Sequence, residues 1–254
     1  MTRPPTIPSS RPSFVLSAAF KLVVAPDSDA LGRTAASMIA DQLRAKPDSV
    51  LCTAGGASPI PAYAHLANIA REQTSHIRIV KLDEWLDLKM TSPQTCESFQ
   101  RRHLLGPLAI PDHRYLTIKS QPADPDAECK RVSAAIARFG GIDLAILGIG
   151  LNGHLGLNEP GGALQPFCHI EQLSPATLRH PMLHGAAAGT RRGITLGMHE
   201  ILGARRILLI ATGPQKAEPI RTLLSREITT GFPASFLWLH PDVTCLCDHA
   251  AAPQ

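Results

Sequence analysis

Two short apolar runs constrain the fold more than any other feature of the chain. Residues 142–147 (IDLAIL) and Arg206–Ala211 (RILLIA) are apolar on both faces, as parallel β-strands are when helices cover both sides of their sheet. Similar runs recur along the chain and alternate with segments whose apolar residues repeat every three to four positions, as on one face of a helix. This alternation predicts an α/β fold, a three-layer αβα sandwich around a mainly parallel, Rossmann-like sheet.

The alternation extends over nearly the whole sequence. We expect strands at 20–26, 49–54, 77–82, 142–147, 206–211, 235–239 and 243–247, and helices at 31–43, 59–71, 95–105, 126–139 and 214–224. Residues 20–254 are predicted to form one domain, and the Pro-, Ser- and Arg-rich lead-in, 1–19, is predicted to be disordered. The interval 159–192 breaks the rhythm, and such a long irregular stretch in a compact domain predicts a lid over a functional site.

Composition excludes several classes of protein. The net charge is +4 and basic residues occur in runs no longer than a pair, which is against a nucleic-acid-binding stripe. No run of about 18 apolar residues suggests a membrane span. The six cysteines are scattered and lack zinc-finger spacing, which indicates a reducing, cytoplasmic location. We therefore expect a small-molecule partner, and the sequence leaves open whether the protein forms a homo-oligomer.

The first candidate binding segment follows the second predicted strand. In open α/β sheets, ligands bind beyond the carboxyl ends of the strands. A tight turn is predicted there, formed by Gly55, Gly56, Ala57 and Ser58. Ser58 is suited to cap the helix predicted to begin at Pro59. A helix N-terminus of this kind binds phosphate, although an ordinary strand-to-helix turn needs the same residues.

A lysine marks a second strand end. Lys216 lies in the first turn of the helix predicted from Pro214, where a cation opposes the helix dipole by about 0.3–1 kcal/mol. A bound anion would remove this penalty, so Lys216 is a candidate phosphate ligand. The alternative is an exposed lysine that extends into water.

The turn after residues 142–147 contains a candidate acid–base pair. Gly148, Gly150 and Gly153 match the pattern G-x-G-x-x-G, but the Gly- and Pro-rich continuation cannot open the helix that a dinucleotide site requires. His154 is followed five residues later by Glu159, and a carboxylate that orients an imidazole is typical of a general acid or base. A lone surface histidine is the alternative. A second histidine at zinc-ligand spacing is absent from the sequence.

Adjacent acids follow the third predicted strand. Asp83 and Glu84 stand beside Trp85, and partial burial would raise the pKa of one of them towards that of a useful base. Either acid could instead cap a helix.

Six segments in this order resemble the amino-sugar-phosphate deaminase/isomerase family, the glucosamine-6-phosphate deaminases and their relatives. They are TAGGASP, KLDEWLDL, CESFQRRHL, GIDLAILGIGLNGHLGLNEPG, GITLG and TGPQKA, and the resemblance covers about residues 20 to 249. KLDEWLDL, the TCESF stretch and PASFLWLH are most similar to galactosamine-6-phosphate isomerases. The resemblance implies deamination of galactosamine 6-phosphate to tagatose 6-phosphate and ammonia, with glucosamine 6-phosphate as the next choice of substrate. It implies no metal and no other cofactor.

The resemblance also implies roles for individual residues. Asp83 matches the base that moves a proton between C2 and C1, His154 the group that opens the sugar ring, and Glu159 the carboxylate that orients it. The loop at 55–58 and Lys216 match the phosphate site.

Arg192, just before GITLG, is a further expected phosphate ligand. Asn152 stands where the family often has aspartate, so it can orient groups but cannot transfer protons. Ala57 removes one side-chain donor from the phosphate loop, which predicts a weaker phosphate grip.

Two other functions are alternatives to the deaminase: a 6-phosphogluconolactonase and a non-catalytic sugar-phosphate sensor. A 6-phosphogluconolactonase would have a segment such as ASLFP after the histidine, so LNEP with its Glu159 favours the deaminase. A non-catalytic sugar-phosphate sensor would not need Asp83, His154 and Glu159 together.

Overall fold

The computed structural model describes residues 14–15, 19–185 and 190–253. The strands are β1 (Phe14–Val15), β2 (Phe20–Ala25), β3 (Val50–Thr53), β4 (Arg78–Lys81), β5 (Asp83–Trp85), β6 (Tyr115–Leu116), β7 (Leu144–Gly148), β8 (His169–Gln172), β9 (Arg192–Thr195), β10 (Arg206–Ala211) and β11 (Val243–Asp248). The α-helices are α1 (Ser28–Ala45), α2 (Ile60–Ile69), α3 (Cys96–Gln100), α4 (Pro125–Arg138), α5 (Met198–Leu202) and α6 (Ala217–Leu224).

The main sheet has the strand order β1-β2-β11-β10-β7-β3-β4-β6. Its neighbouring strands run parallel, apart from β1 and β2, which are antiparallel. Apolar side chains of α1 and α2 pack on one face of the sheet, and those of α4, α5 and α6 pack on the other. The predicted three-layer αβα sandwich is therefore confirmed.

The central strands show why the sequence is apolar on both faces. In β10, Ile207 and Leu209 join one hydrophobic core, whereas Leu208 and Ile210 join the other. Successive side chains of a strand point to opposite faces, so a strand between two helical layers needs an apolar residue at every position.

One predicted strand is wrong. Residues 235–239 lie within a 3₁₀ helix, Pro233–Leu239, that begins at a proline, which cannot donate to a strand ladder. Trp238 in this helix stacks on Phe20, with 4.2 Å between ring centroids, and donates from Nε1 to the Leu223 carbonyl over 2.7 Å. The aromatic residues that suggested a strand thus pack this segment against β2 and α6.

A small antiparallel sheet, β5-β9-β8, was not predicted. It pairs Asp83 with Thr195, and so fixes the position of Asp83 beyond the end of β4. The interval 159–192, predicted to be a lid, contributes β8 and the short 3₁₀ helices Thr177–Arg179 and Pro181–Leu183. Its residues 186–189, and most of the lead-in 1–19, lie outside the described residues, so both of these predictions stay open.

Within the described ranges, no helix combines the length and apolar character needed to cross a bilayer. All six cysteines are buried and free.

Candidate active site

The strand ends singled out in the sequence surround one cavity of about 310 Å³. It lies beyond the carboxyl ends of β3, β4, β7 and β10, the edge at which α/β sheets bind ligands. The cavity is lined by these predicted site residues: Gly55, Gly56, Ala57, Ser58, Asp83, Asn152, His154 and Lys216. Four separate predictions of a strand-end site therefore converge on a single pocket.

Asp83 is the buried acid of this cavity. As the first residue of β5, it is held by the small antiparallel sheet and is 9% exposed. Burial and the neighbouring Glu84 carboxylate raise the pKa of Asp83 to about 7, against a smaller opposing effect of Lys81. A carboxyl with this pKa changes protonation state near neutral pH, as a general base must.

A buried ion cluster lies directly behind Asp83. The Lys81 ammonium donates to Glu84 Oε2 over 2.7 Å and to Glu97 Oε2 over 3.0 Å, and all three side chains are buried. Glu84 also accepts the backbone N–H groups of Cys96 and Glu97 over 2.9 and 2.8 Å. Glu84 thus binds the free N–H groups at the start of α3, and the helix-cap alternative considered for it is confirmed. The cluster fixes the backbone on both sides of Asp83.

His154 lies among hydrogen-bonding groups that orient its ring. Its Nδ1 is 3.3 Å from Thr177 Oγ1 and 3.6 Å from Glu159 Oε2. Glu159 in turn accepts from Asn152 Nδ2 over 2.8 Å and from the Ser174 N–H over 3.1 Å. Asn152 thus orients the glutamate, which is a role that an amide can fill.

The charge of Glu159 is stabilised by the same neighbours. Burial raises its pKa, but hydrogen bonds from His154, Thr177 and Asn152 outweigh this effect and lower the pKa to about 2. Glu159 is therefore a carboxylate throughout the neutral pH range, and it favours the imidazole tautomer with its proton on Nδ1. In that tautomer Nε2 is an acceptor that can take a proton from a ligand.

Gly150 allows the His154 ring to take this position. A Cβ atom at Gly150 would lie 2.5 Å from three atoms of the imidazole, closer than real contacts allow. The Gly150 N–H also donates to the His154 carbonyl over 3.0 Å. The second glycine of the G-x-G-x-x-G match, Gly150, therefore makes room for a histidine in this chain.

The loops expected to hold phosphate are joined to each other. Ser58 Oγ accepts from the backbone N–H and the hydroxyl of Thr212 over 3.3 and 3.1 Å. The prediction that Ser58 caps α2 is wrong, because α2 begins at Ile60 after Pro59 and has no side-chain cap. The serine instead couples the loop after β3 to the loop after β10.

The loop after β10 is held in place by the carboxylate of Asp248, in β11. Gly213, with φ +87°, donates its N–H to both carboxylate oxygens of Asp248 over 3.0 and 3.1 Å. This turn leads into Lys216, whose Nζ donates to the Ile149 carbonyl. Burial lowers the pKa of Lys216, and the ammonium lacks a carboxylate partner among the described residues. A half-buried cation without a carboxylate partner suits an anionic ligand.

The arginine singled out in the sequence lies elsewhere. Arg192, in β9, points to Asp87, with 3.4 Å between its Nη2 and Asp87 Oδ2, and it is not among the residues that line the cavity. Arg179 and His180, from the irregular interval, do line the cavity. Sequence reasoning missed both residues, because no periodicity or motif in that interval indicates which side chains face the site.

Within residues 14–15, 19–185 and 190–253, the His, Cys, Asp and Glu side chains form no group of three that could hold a metal ion.

Comparison with known proteins decides the family. A family model described as glucosamine-6-phosphate isomerases/6-phosphogluconolactonase matches residues 26–245. The chain belongs to this family. AgaI of Escherichia coli (strain K12), named as a candidate deaminase, is 44% identical over 220 residues, which are 85% of this chain and 87% of AgaI. The expected resemblance to the amino-sugar-6-phosphate deaminase/isomerase family is thereby confirmed.

Solved structures agree with this membership. A monomeric glucosamine-6-phosphate deaminase is 32% identical, with a TM-score of 0.84 over 91% of this chain and 98% of that protein. A 6-phosphogluconolactonase from Leishmania guyanensis is 19% identical, with a TM-score of 0.71 over 91% and 96% of the two chains. At that identity the second likeness shows the fold alone.

Proposed function

We propose that this protein is an aldose–ketose isomerase that deaminates galactosamine 6-phosphate, giving tagatose 6-phosphate and ammonia. The observation that carries the proposal is the convergence of Asp83, His154 and the phosphate loops on one cavity. The cavity volume of about 310 Å³ lies within the range of small-ligand pockets. A base, a proton carrier and an anion site thus surround a space suited to a hexose monophosphate.

Ring opening is assigned to His154. Its Nε2 accepts the proton of the anomeric hydroxyl, and the imidazolium that results returns this proton to the ring oxygen, so that the C1–O5 bond breaks and the aldehyde forms. Glu159, ionised at neutral pH, stabilises the imidazolium that exists between these transfers.

Isomerisation is assigned to Asp83. Its carboxylate accepts the proton from C2, and the electron pair of the C2–H bond forms the C1–C2 double bond of an enolamine. The π electron pair of the C1 carbonyl moves to O1, which takes a proton from solvent and becomes a hydroxyl. The resulting carboxylic acid returns a proton to C1, and the amine-bearing C2 becomes an imine. Water adds to the imine carbon, ammonia leaves, and the ketose 6-phosphate remains.

Phosphate binding is assigned to the loop at 55–58 and to Lys216. Glycine at 55 and 56 lets backbone N–H groups approach the phosphate oxygens closely, as in other phosphate-binding turns. Lys216 supplies a half-buried positive charge. Arg179 at the cavity rim adds a further cation, whereas the proposed role of Arg192 gains no support from its pairing with Asp87.

The choice of the galacto epimer rests on segments of the sequence. KLDEWLDL and PASFLWLH resemble galactosamine-6-phosphate isomerases, and the first of these segments contains Asp83 and two members of the buried cluster behind it, Lys81 and Glu84. Glucosamine 6-phosphate is the next choice of substrate. A cytoplasmic location in amino-sugar metabolism fits the six free cysteines.

A parallel assay of ammonia release tests the proposal. The purified protein is given galactosamine 6-phosphate, glucosamine 6-phosphate and 6-phosphogluconolactone in separate reactions without added cofactor. We expect ammonia from both amino sugars, with the higher kcat/KM for the galacto epimer. Hydrolysis of the lactone without ammonia release would establish the lactonase alternative, and binding without any turnover would establish the sensor.

A further inference from the structure

His180 is a cavity residue that the proposed mechanism does not use. It follows the 3₁₀ helix Thr177–Arg179 and lines the cavity between two of its walls. On one side, its Nε2 is 4.0 Å from the position that a Cβ atom of Gly56 would occupy. On the other side, its ring lies 5.9 Å from the ring of Trp85, centroid to centroid. His180 therefore lies between the phosphate loop and the strand that begins with Asp83.

The hydrogen bonds of His180 define which nitrogen faces the ligand. Its Nδ1 accepts the backbone N–H of Met182 over 3.2 Å. In the neutral imidazole one nitrogen accepts and the other donates, so the ring proton must be on Nε2. Among the residues that the structure describes, Nε2 has no assigned hydrogen-bond acceptor.

The surroundings keep this ring neutral. Burial, followed by the charges of His154, Lys216 and His184, lowers the pKa of His180 to about 4. At neutral pH the residue is thus an uncharged donor fixed at one end by a backbone hydrogen bond. Such a group recognises a neutral oxygen better than it serves as a proton carrier.

The position of His180 along the cavity selects the oxygen. In the proposed function, C1 and C2 of the open-chain sugar lie at Asp83 and the phosphate on C6 lies at the 55–58 loop. A donor between these ends, with its Nε2 on the side of Gly56, faces the hydroxyl of C4. We propose that His180 is a specificity-determining residue, which donates from Nε2 to the C4 hydroxyl and so distinguishes the galacto from the gluco epimer. This inference rests on the proposed function for the orientation of the sugar.

Kinetics with both epimers test the inference. For His180→Ala, we expect the ratio of kcat/KM for galactosamine 6-phosphate over glucosamine 6-phosphate to fall about tenfold, the effect of one lost hydrogen bond. His180→Gln keeps an N–H donor near the position of Nε2, and should restore part of the ratio. His184→Ala is the matched control, since His184 is exposed in the same segment, and should leave the ratio unchanged.

A binding experiment separates this inference from the proposed function. Galactitol 6-phosphate and glucitol 6-phosphate differ at C4 and cannot be deaminated, so calorimetry gives their Kd ratio whether or not the protein turns over amino sugars. We expect His180→Ala to bring that ratio towards one, and to leave the Kd of inorganic phosphate within twofold of the wild-type value. If the wild-type protein releases no ammonia but its Kd ratio depends on His180, the deaminase proposal fails and the specificity role stands.

Other results would overturn the inference. An equal loss of kcat/KM for both epimers, with an unchanged Kd ratio, would mean that His180 does not contact C4. Weaker binding of inorganic phosphate by His180→Ala would make it a phosphate ligand instead. An equal effect of His184→Ala would show that the segment, and not the imidazole, determines the preference.

Discussion

The raised pKa of Asp83 makes a prediction about the pH dependence of catalysis. The carboxyl must be ionised to accept the C2 proton, and its pKa is about 7 because of burial and the adjacent Glu84 carboxylate. The ionised fraction then falls from about nine-tenths at pH 8 to about one-tenth at pH 6. Since kcat/KM reports the ionisation of the free enzyme, we expect it to fall about tenfold over that interval.

The same shift predicts a cost in stability. Between about pH 4 and pH 7 the folded protein retains a proton on Asp83 that the unfolded chain has released, so the free energy of unfolding falls as pH rises through this window. A shift of the Asp83 pKa from 3.8 to about 7 corresponds to about 4 kcal/mol of the free energy of unfolding, and this contribution is fully lost above pH 7. Asp83→Asn carries no charge, so it should be more stable than the wild type at pH 8 by up to that amount, and by less at pH 5.

Two assays check this prediction. Ammonia release is measured from pH 5.5 to pH 8.5, and urea unfolding is measured at pH 5 and pH 8. In Glu84→Gln, removal of the neighbouring negative charge should move the acid limb to lower pH, whereas Glu72→Gln, at an exposed acid, should not move it. Ionisations of the substrate are common to all variants and cancel in this comparison. An acid limb near pH 4, together with equal stability of Asp83→Asn and wild type at pH 8, would refute the reasoning.

Three further predictions concern the rest of the cavity. His154→Gln should slow the reaction of the closed-ring substrate far more than that of an analogue supplied in open-chain form, and equal losses in stopped-flow assays would contradict its role in ring opening. Lys216→Ala should raise KM about tenfold or more with a smaller change in kcat, because it removes a half-buried cation from the proposed phosphate site; an unchanged KM would exclude Lys216 from that site. Gly150→Ala should lower kcat at least tenfold by displacing the His154 ring, while Gly162→Ala, where a Cβ meets nothing within 4 Å, should keep wild-type activity.

Much of the architecture could be predicted because it depends on local pattern. The strands β7 and β10 are apolar on both faces, and this property follows directly from helices packing on both sides of the sheet. The location of the site followed in turn, because the carboxyl ends of parallel strands meet at one edge. Asp83, His154 and Lys216 are far apart in the sequence, yet each follows a predicted strand.

Features that depend on distant partners could not be predicted. The strand β9 exists because it pairs with both β5 and β8, and nothing within its four residues indicates this. The aromatic side chain of Trp238 favours a strand when only its sequence neighbours are considered, but Trp238 lies in a 3₁₀ helix, where it stacks on Phe20. His180 reaches the cavity through an irregular segment, whose backbone follows no period that would predict its direction.

The buried cluster behind the base illustrates the same limit. The sequence KLDEW shows a lysine and two acids, but it does not show that Lys81 and Glu84 are buried together. Their burial depends on Glu97, which lies on α3 and completes the ion cluster. The charged residues of this segment give no indication of the pairing with Glu97, since an exposed segment could have the same sequence.

The most direct test of the central claim is deuterium exchange at C2 of the sugar. Proton NMR in D₂O should show that the wild-type protein incorporates deuterium from solvent during turnover of galactosamine 6-phosphate, and that Asp83→Asn, with unchanged Kd for galactitol 6-phosphate, does not. Exchange at an undiminished rate in Asp83→Asn would place the base elsewhere and contradict the account.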